Sequence, residues 1–381
     1  MHRQRVYFDY AANTPVDPKV RQKLMQFYEE HYGNSAGVHA LARDMREHLD
    51  RAREFFAQYL GAKSSEIVFT ASATESNNLV LKGLAARFPE KKHLLISAVE
   101  HASVLQTALY LEKTGFDVEI VPVDRTGRID PDEVEKRFKK NTLLVSVIWV
   151  NNELGTIQPI ETIGQICRKA GVFFHTDAVQ GFAKLALNVK QCNIDFLTAS
   201  AHKIYGPLGV GLLFAKQGIP LEPLLHGGGH ENGLRSSTVN VPGIIAFQEA
   251  AEIYRQLRQE EWQRLQSFKK MITEFVQQNI AGARINSPEN SVPHILNLSF
   301  ENVDGELLTI LLDREGIEVS TGSACSSGTL KASRIIEAIH LPQKFKKGTI
   351  RISLGRFTTA EQVEYFLQKL PAAVEKVRKI S

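Results

Sequence analysis

Cys325 lies in Ser320-Thr321-Gly322-Ser323-Ala324-Cys325-Ser326-Ser327-Gly328-Thr329, a run of small and hydroxyl residues with no large apolar side chain to bury a thiol. An exposed cysteine in a chain with only three is a candidate reactive thiol, although an incidental loop cysteine fits the same residues. Lys203 follows the apolar run 194–199 and precedes another at 209–214, which puts it on a strand-to-strand connection beside Ser200 and His202. A lysine desolvated between buried strands can act as a neutral amine and form a Schiff base; a solvated turn lysine is the plainer alternative. Upstream, Val172-Phe173-Phe174-His175-Thr176-Asp177 reads as a short apolar strand ending in a carboxylate, with Gln180 just beyond it. An acid at the C-terminal end of a strand faces the usual ligand crevice of an α/β sheet.

A lysine and an aspartate on neighbouring strand ends are the two groups that pyridoxal 5'-phosphate (PLP) requires of a protein. The lysine binds its aldehyde, and the aspartate keeps its pyridine nitrogen protonated so that the ring can accept electrons. Phosphate donors are present in Thr70-Ala71-Ser72-Ala73-Thr74-Glu75-Ser76-Asn77-Asn78, which follows a strand and opens a helical pattern, so its amides sit at a helix N-terminus. Thr74 is equally explained there as a helix cap. Ser200 and His202 complete a phosphate cup from the lysine loop, or serve as ordinary turn residues.

On these residues the chain resembles the cysteine desulfurases, the NifS/IscS-like branch of class V aminotransferase-like enzymes, nearly from end to end. The likeness runs through Phe8-Asp9-Tyr10-Ala11-Ala12-Asn13-Thr14-Pro15, Tyr32-Gly33-Asn34-Ser35, Glu100-His101, Asn151-Asn152-Glu153-Leu154-Gly155, His175-Thr176-Asp177-Ala178-Val179-Gln180, Ser200-Ala201-His202-Lys203, Gly322-Ser323-Ala324-Cys325 and Arg351-Ile352-Ser353-Leu354-Gly355-Arg356. The resemblance implies Lys203 as the PLP-bearing lysine, Asp177 on the pyridine nitrogen, Gln180 on the ring hydroxyl and His101 stacked on the ring, moving protons. It places Ala73, Thr74, Ser200 and His202 at the phosphate, with Thr238 reaching over from the second subunit of a homodimer. Asn152 is assigned to both cofactor and substrate, and Arg351 with Asn34 to the substrate carboxylate. Cys325 takes the sulfur of L-cysteine as a persulfide, and the product is L-alanine. Selenocysteine lyase and aminotransferase activities on the same fold fit most of these residues too. The implied acceptor is a protein such as an iron–sulfur scaffold or a tRNA-thiolation enzyme, and no metal ligand set is expected. Ser72 and Ser237 stand where the family more often has glycine.

The elements that must hold these groups read as α/β: fold type I of the PLP enzymes, a mainly parallel sheet in a large domain plus a smaller α+β domain. Strand-like runs at 67–69, 94–97, 118–121, 143–149 and 172–175 alternate with amphipathic helical patterns. The runs at 194–199 and 209–214 are too close for a crossover helix, which predicts an antiparallel pair. Apolar residues at helical spacing from Val241 to about Ile280 predict one long bridging helix. The expected division is a large PLP-binding domain at 16–259 and a small domain from 1–15 and 260–381 that carries the Cys325 loop. A net charge of +4 with interspersed signs gives no argument for direct nucleic-acid or membrane binding. Three cysteines at 167, 192 and 325 are no disulfide framework, and Met1-His2-Arg3-Gln4-Arg5 leads into a strand without an apolar signal region, so a reducing cytoplasm is the expected location.

Overall fold

The computed structural model describes residues 5–321 and 333–380. The strands are β1 (Val6–Tyr7), β2 (Ile67–Thr70), β3 (His93–Ser97), β4 (Asp117–Val121), β5 (Thr142–Ser146), β6 (Phe173–Asp177), β7 (Phe196–Ser200), β8 (Gly211–Ala215), β9 (Ala283–Ile285), β10 (Ile295–Phe300), β11 (Ile317–Glu318) and β12 (Thr349–Ser353). The helices are α1 (Pro18–Glu30), α2 (Ala40–Leu60), α3 (Ala73–Arg87), α4 (Ala102–Lys113), α5 (Pro131–Glu135), α6 (Ile160–Ala170), α7 (Val241–Asn279), α8 (Gly305–Arg314), α9 (Arg334–Ala338), α10 (Gln343–Lys346) and α11 (Ala360–Arg378).

Seven strands form the main sheet in the order β2-β8-β7-β6-β5-β3-β4. Pairing is parallel from β7 to β4, and β8 runs antiparallel to both β7 and β2. The C-terminal ends of β2, β3, β5, β6 and β7 therefore share one edge of the sheet. Alternation along the strands buries both faces. Leu95, Val145, Leu197 and Leu212 enter one core with α2, α6 and the first half of α7. Leu94, Leu144, Phe196 and Leu213 enter another, against α3 and α4. This double burial is why these strands read as continuous apolar runs. The 143–149 run ends as a strand at Ser146, but Val147 and Trp149 continue beside β6 by donating to the carbonyls of His175 and Asp177.

A separate apolar cluster gathers Val6 and Phe8, β10, β12, α8, α11 and the second half of α7 through Leu265, Ile272 and Val276. With 39 residues, α7 is about 58 Å long and belongs to both cores. Its first turn is stopped by Asn240, whose side chain accepts from Gly243 N, with Pro242 already pre-set for the helix. The N-terminal strand joins the second cluster late in the chain: β1 pairs in parallel with β11, and the Ser353 amide donates to the Phe8 carbonyl. Among the described residues no helix is long and apolar enough to cross a membrane.

Candidate active site

A cleft with about 180 Å³ of space for water opens at the shared C-terminal edge of the main sheet, lined by Ala73, Thr74, His101, Asn152, Asp177, Gln180, His202, Lys203 and Arg351. Each wall follows from the local fold. Asp177 is the last residue of β6, and Lys203 closes the 3₁₀ turn between β7 and β8. His101 caps α4 just after β3, and Ala73 and Thr74 open α3 just after β2. The cap of α3 is Ser72, whose hydroxyl accepts from Glu75 N at 3.2 Å. Thr74 is therefore a first-turn residue facing the cleft rather than the cap, and the serine that departs from the family pattern has a structural use. Gly211 on β8 lets this turn close: a Cβ there would lie 2.6 Å from both the Ser72 carbonyl carbon and Thr70 Oγ1.

Asp177 is buried and doubly held, accepting from Asn77 Nδ2 at 2.8 Å and from Val179 N at 3.1 Å. The same Asn77 nitrogen donates to Ser103 Oγ at 2.8 Å, and that hydroxyl lies 2.8 Å from His101 Nδ1. Because Ser103 N also donates to His101 Nδ1, at 3.1 Å, that nitrogen is the acceptor and the neutral imidazole carries its proton on Nε2. One chain of hydrogen bonds thus fixes both the carboxylate and the histidine. Lys203 Nζ donates to the carbonyls of Ala11 and Ala12, and Gln180 Nε2 also donates to Ala11 O, at 2.8 Å. Arg351, nearly buried, pairs with Asp9 at 2.6 Å and donates to the Asn152 carbonyl at 3.0 Å.

Electrostatics at this edge favour neutral forms. Burial, then Lys203 and Lys184, pull His202 down to about 4, so it meets a ligand as a neutral imidazole whose Nδ1 lies 3.1 Å from Ser200 Oγ. Burial pushes Glu100 up to about 8 despite bonds from Ser97 Oγ and Ile148 N, both 2.6 Å. Burial likewise raises Glu153 to about 7. Lys184 is held down to about 7 by burial first and by Lys203 second, and its ammonium nitrogen has no partner among the described residues.

The donor set fits PLP. Asp177 suits a protonated ring nitrogen, Lys203 an aldehyde, and Thr74 and His202 line the cleft beside the α3 N-terminus, where a phosphate belongs. Buried Asn152 Oδ1 lacks a partner among the described residues, as a group awaiting a ligand would. Three assigned residues do not line the cleft. Ser200, the last residue of β7, is buried with its Oγ 3.1 Å from His202 Nδ1 and 3.4 Å from the Val210 carbonyl. Asn34 is on the exposed α1–α2 connection, its side chain accepting from Ala36 N at 3.0 Å, and Thr238 is exposed; neither lines the cleft. Cys325 lies outside the described residues. Cys167 is buried in α6 and Cys192 half-buried.

Sequence reasoning gave no role to Asn77, Ser103, Asp9 or Lys184. Asn77 had a legible signal: it shares a helix face with Val80, Leu81 and Leu84, all buried, and an amide on such a face needs a polar partner inside.

The family model described as aminotransferase class-V matches residues 6–366. The chain is 42% identical to a cysteine desulfurase IscS of Dictyoglomus turgidum over 100% of its length and 97% of the relative's. It is 41% identical to cysteine desulfurase IscS 1 of Archaeoglobus fulgidus, over 98% of both chains. A solved NifS-like protein superposes with a TM-score of 0.92 at 38% identity, covering 98% of this chain and 100% of that one. A structure described as SspA in complex with cysteine gives 0.82 at 38% identity, covering 93% and 100%. With that end-to-end likeness and a lysine, aspartate and histidine converging at one sheet edge, the chain belongs to the PLP-dependent class-V aminotransferases, in their NifS/IscS-like branch.

Proposed function

We propose that this chain is a cysteine desulfurase that converts L-cysteine to L-alanine and takes the sulfur onto Cys325. The supporting observation is that the chain on either side of Cys325 is anchored beside the cleft. Ser320 and Arg351 exchange backbone hydrogen bonds at 3.1 and 2.6 Å, and Arg334 donates to the carbonyls of Ala98 and Glu100, next to His101.

Arg351 grips the substrate carboxylate with its planar guanidinium, held in orientation by Asp9. PLP, when bound on Lys203, Asp177 and the α3 N-terminus, supplies an electron sink for the pair released at the substrate Cα. The Lys203 amine removes the Cα proton, and His101, which lines the cleft, moves protons beside it. The Cys325 thiolate forms an S–S bond with the substrate sulfur as the Cβ–S bond breaks. The electron pair of that bond stays on carbon, which gains a proton. Cysteine plus thiol therefore gives alanine plus persulfide with no external oxidant.

Thr238 is exposed in its own chain, which suits a contact to the partner's phosphate across a homodimer. The separate apolar cores favour the division into 16–259 and 1–15 with 260–381. The reading further assigns the enzyme to the cytoplasm and to a sulfur-acceptor protein of the iron–sulfur scaffold or tRNA-thiolation kind.

Alanine release with dithiothreitol and no keto acid tests the reaction. Cys325→Ala should still perturb the cofactor spectrum on adding cysteine but lose turnover. Wild-type turnover in that variant sinks the sulfur-acceptor assignment. Alanine formed only when a keto acid is added favours an aminotransferase, and faster reaction with selenocysteine favours a lyase.

A further inference from the structure

Away from the cleft, at the junction of α1 and α2, two imidazoles and a carboxylate converge. His31 ends α1, while Asp44 and His48 are one turn apart on α2 and share a face. His31 Nδ1 is 2.5 Å from Asp44 Oδ2, and His48 Nε2 is 3.8 Å from Asp44 Oδ1. The two imidazole centroids are 4.7 Å apart. Both rings lean on buried Phe27, at 4.5 and 5.1 Å, so the packing that holds the helices together also aims the nitrogens at one point. The side chains are 20%, 40% and 28% exposed, which leaves the site open to solvent on one side.

We propose that His31, Asp44 and His48 form a binding site for a divalent ion of the Zn²⁺ class. Candidate ligand atoms from the three residues lie within 4.8 Å of one another. Tetrahedral Zn²⁺, with bonds of about 2.0–2.2 Å, asks for ligand atoms about 3.4 Å apart. Small side-chain adjustments at these half-buried residues close that difference without moving a helix. Two nitrogens and one carboxylate oxygen suit a borderline metal, and the open side leaves a fourth position for water. A further carboxylate, Glu30, lies 3.7 Å from His31 Nε2. An ion here clips the end of α1 to the second turn of α2 across the connection that carries Asn34. This site is independent of the desulfurase reading.

The test uses holoenzyme with Cys325→Ser, so that the loop thiol cannot report, stripped with chelator and titrated with Zn²⁺ against a chromogenic indicator. One ion per chain is expected, with affinity falling about tenfold or more in His31→Ala, in His48→Ala and in Asp44→Asn. Bound Zn²⁺ should also protect His31 and His48 from diethyl pyrocarbonate, read by peptide mass. Unchanged circular dichroism and cofactor absorbance establish that the variants fold, and His48→Gln, which keeps the bulk, replaces any that does not. No ion retained by the parent, or equal affinity and stoichiometry in the variants, overturns the proposal.

Discussion

Arg356 ties three parts of the chain to the turn that carries Lys203, and its removal should be felt in both stability and cofactor retention. Its Nη1 pairs with Asp17, the cap of α1, at 2.7 Å, and its Nε with Glu261 of α7 at 3.0 Å. Its guanidinium lies 4.2 Å from the centre of the Tyr205 ring, and its amide donates to Tyr205 Oη. Tyr205, two residues after Lys203, sits at φ 68°, a left-handed conformation that costs a tyrosine about 1–2 kcal/mol and must be held from outside. Arg356→Met strands two carboxylates, both at most 10% exposed, and breaking a buried pair this way costs about 3–5 kcal/mol. Loss of the ring contact adds about 0.5–2 kcal/mol. That is a large fraction of a typical 5–15 kcal/mol native stability, so the midpoint of urea unfolding, followed by tryptophan fluorescence, should fall sharply. Arg356→Met with Glu261→Gln should do better than the sum of the single losses, with a coupling of about 0.5–3 kcal/mol. Released Tyr205 should also speed PLP loss on dialysis. A single variant within about 0.5 kcal/mol of the parent, or strictly additive losses, would refute the clasp.

Burial holds the folded-state pKa of Glu100 near 8, above its ordinary 4.5, so the proton it keeps stabilises the fold fully below about 4.5 and that contribution drains away as pH rises through 8. Glu100→Gln keeps an acceptor for Ile148 N but cannot titrate; its melting temperature should fall less than the parent's between pH 6 and 9, and parallel profiles would disprove the assignment. Asn77→Ala removes a hydrogen bond to a buried carboxylate worth about 1.5–3 kcal/mol, so PLP retention by equilibrium dialysis should drop about tenfold to hundredfold. Unchanged retention would remove Asn77 from the site. Gly164→Ala would place a Cβ 1.9 Å from the Cys192 carbonyl oxygen, and forcing α6 off that loop should cost about 1–3 kcal/mol in thermal unfolding. Borohydride reduction of the holoenzyme should label Lys203 in peptide maps, and a label on another lysine would move the cofactor.

Motif residues such as Asp177, Lys203 and Thr74 sit at the end of a strand, in the turn after one or at the start of a helix, where pattern and function coincide, whereas Arg351 is in the middle of β12 and Asn152 in a connection. Asp177 and Lys203 were placed from the apolar runs beside them, His101 came from the resemblance alone, and the long helix was read almost to its last residue because its apolar positions keep one period through both cores. What escaped was lateral. Asp9 orients Arg351 from 342 residues away, and Asn77 reaches Asp177 across 100, pairings that no local spacing encodes. Lys184 carried no signal in the sequence, and only the packing of the turn after β6 buries it near Lys203. Thr74 was ambiguous between cap and phosphate donor because a helix N-terminus uses the same residue types for both.

The carbonyls of Ala11 and Ala12 that receive the Lys203 ammonium belong to a segment seated by its far end, through β11 and β12. On the ribosome, those first residues emerge long before their partners exist. At about 5–20 residues per second, tens of seconds pass between synthesis of Phe8 and of Ser353, the residue whose amide docks on it. Throughout that interval the main sheet can assemble while Val6 and Phe8 remain without their apolar neighbours. The nascent enzyme thus has a built-in delay during which the hydrophobic segment around Val6 and Phe8 is a natural target for chaperones, and Lys203 finds its carbonyl partners seated only after β12 has been made.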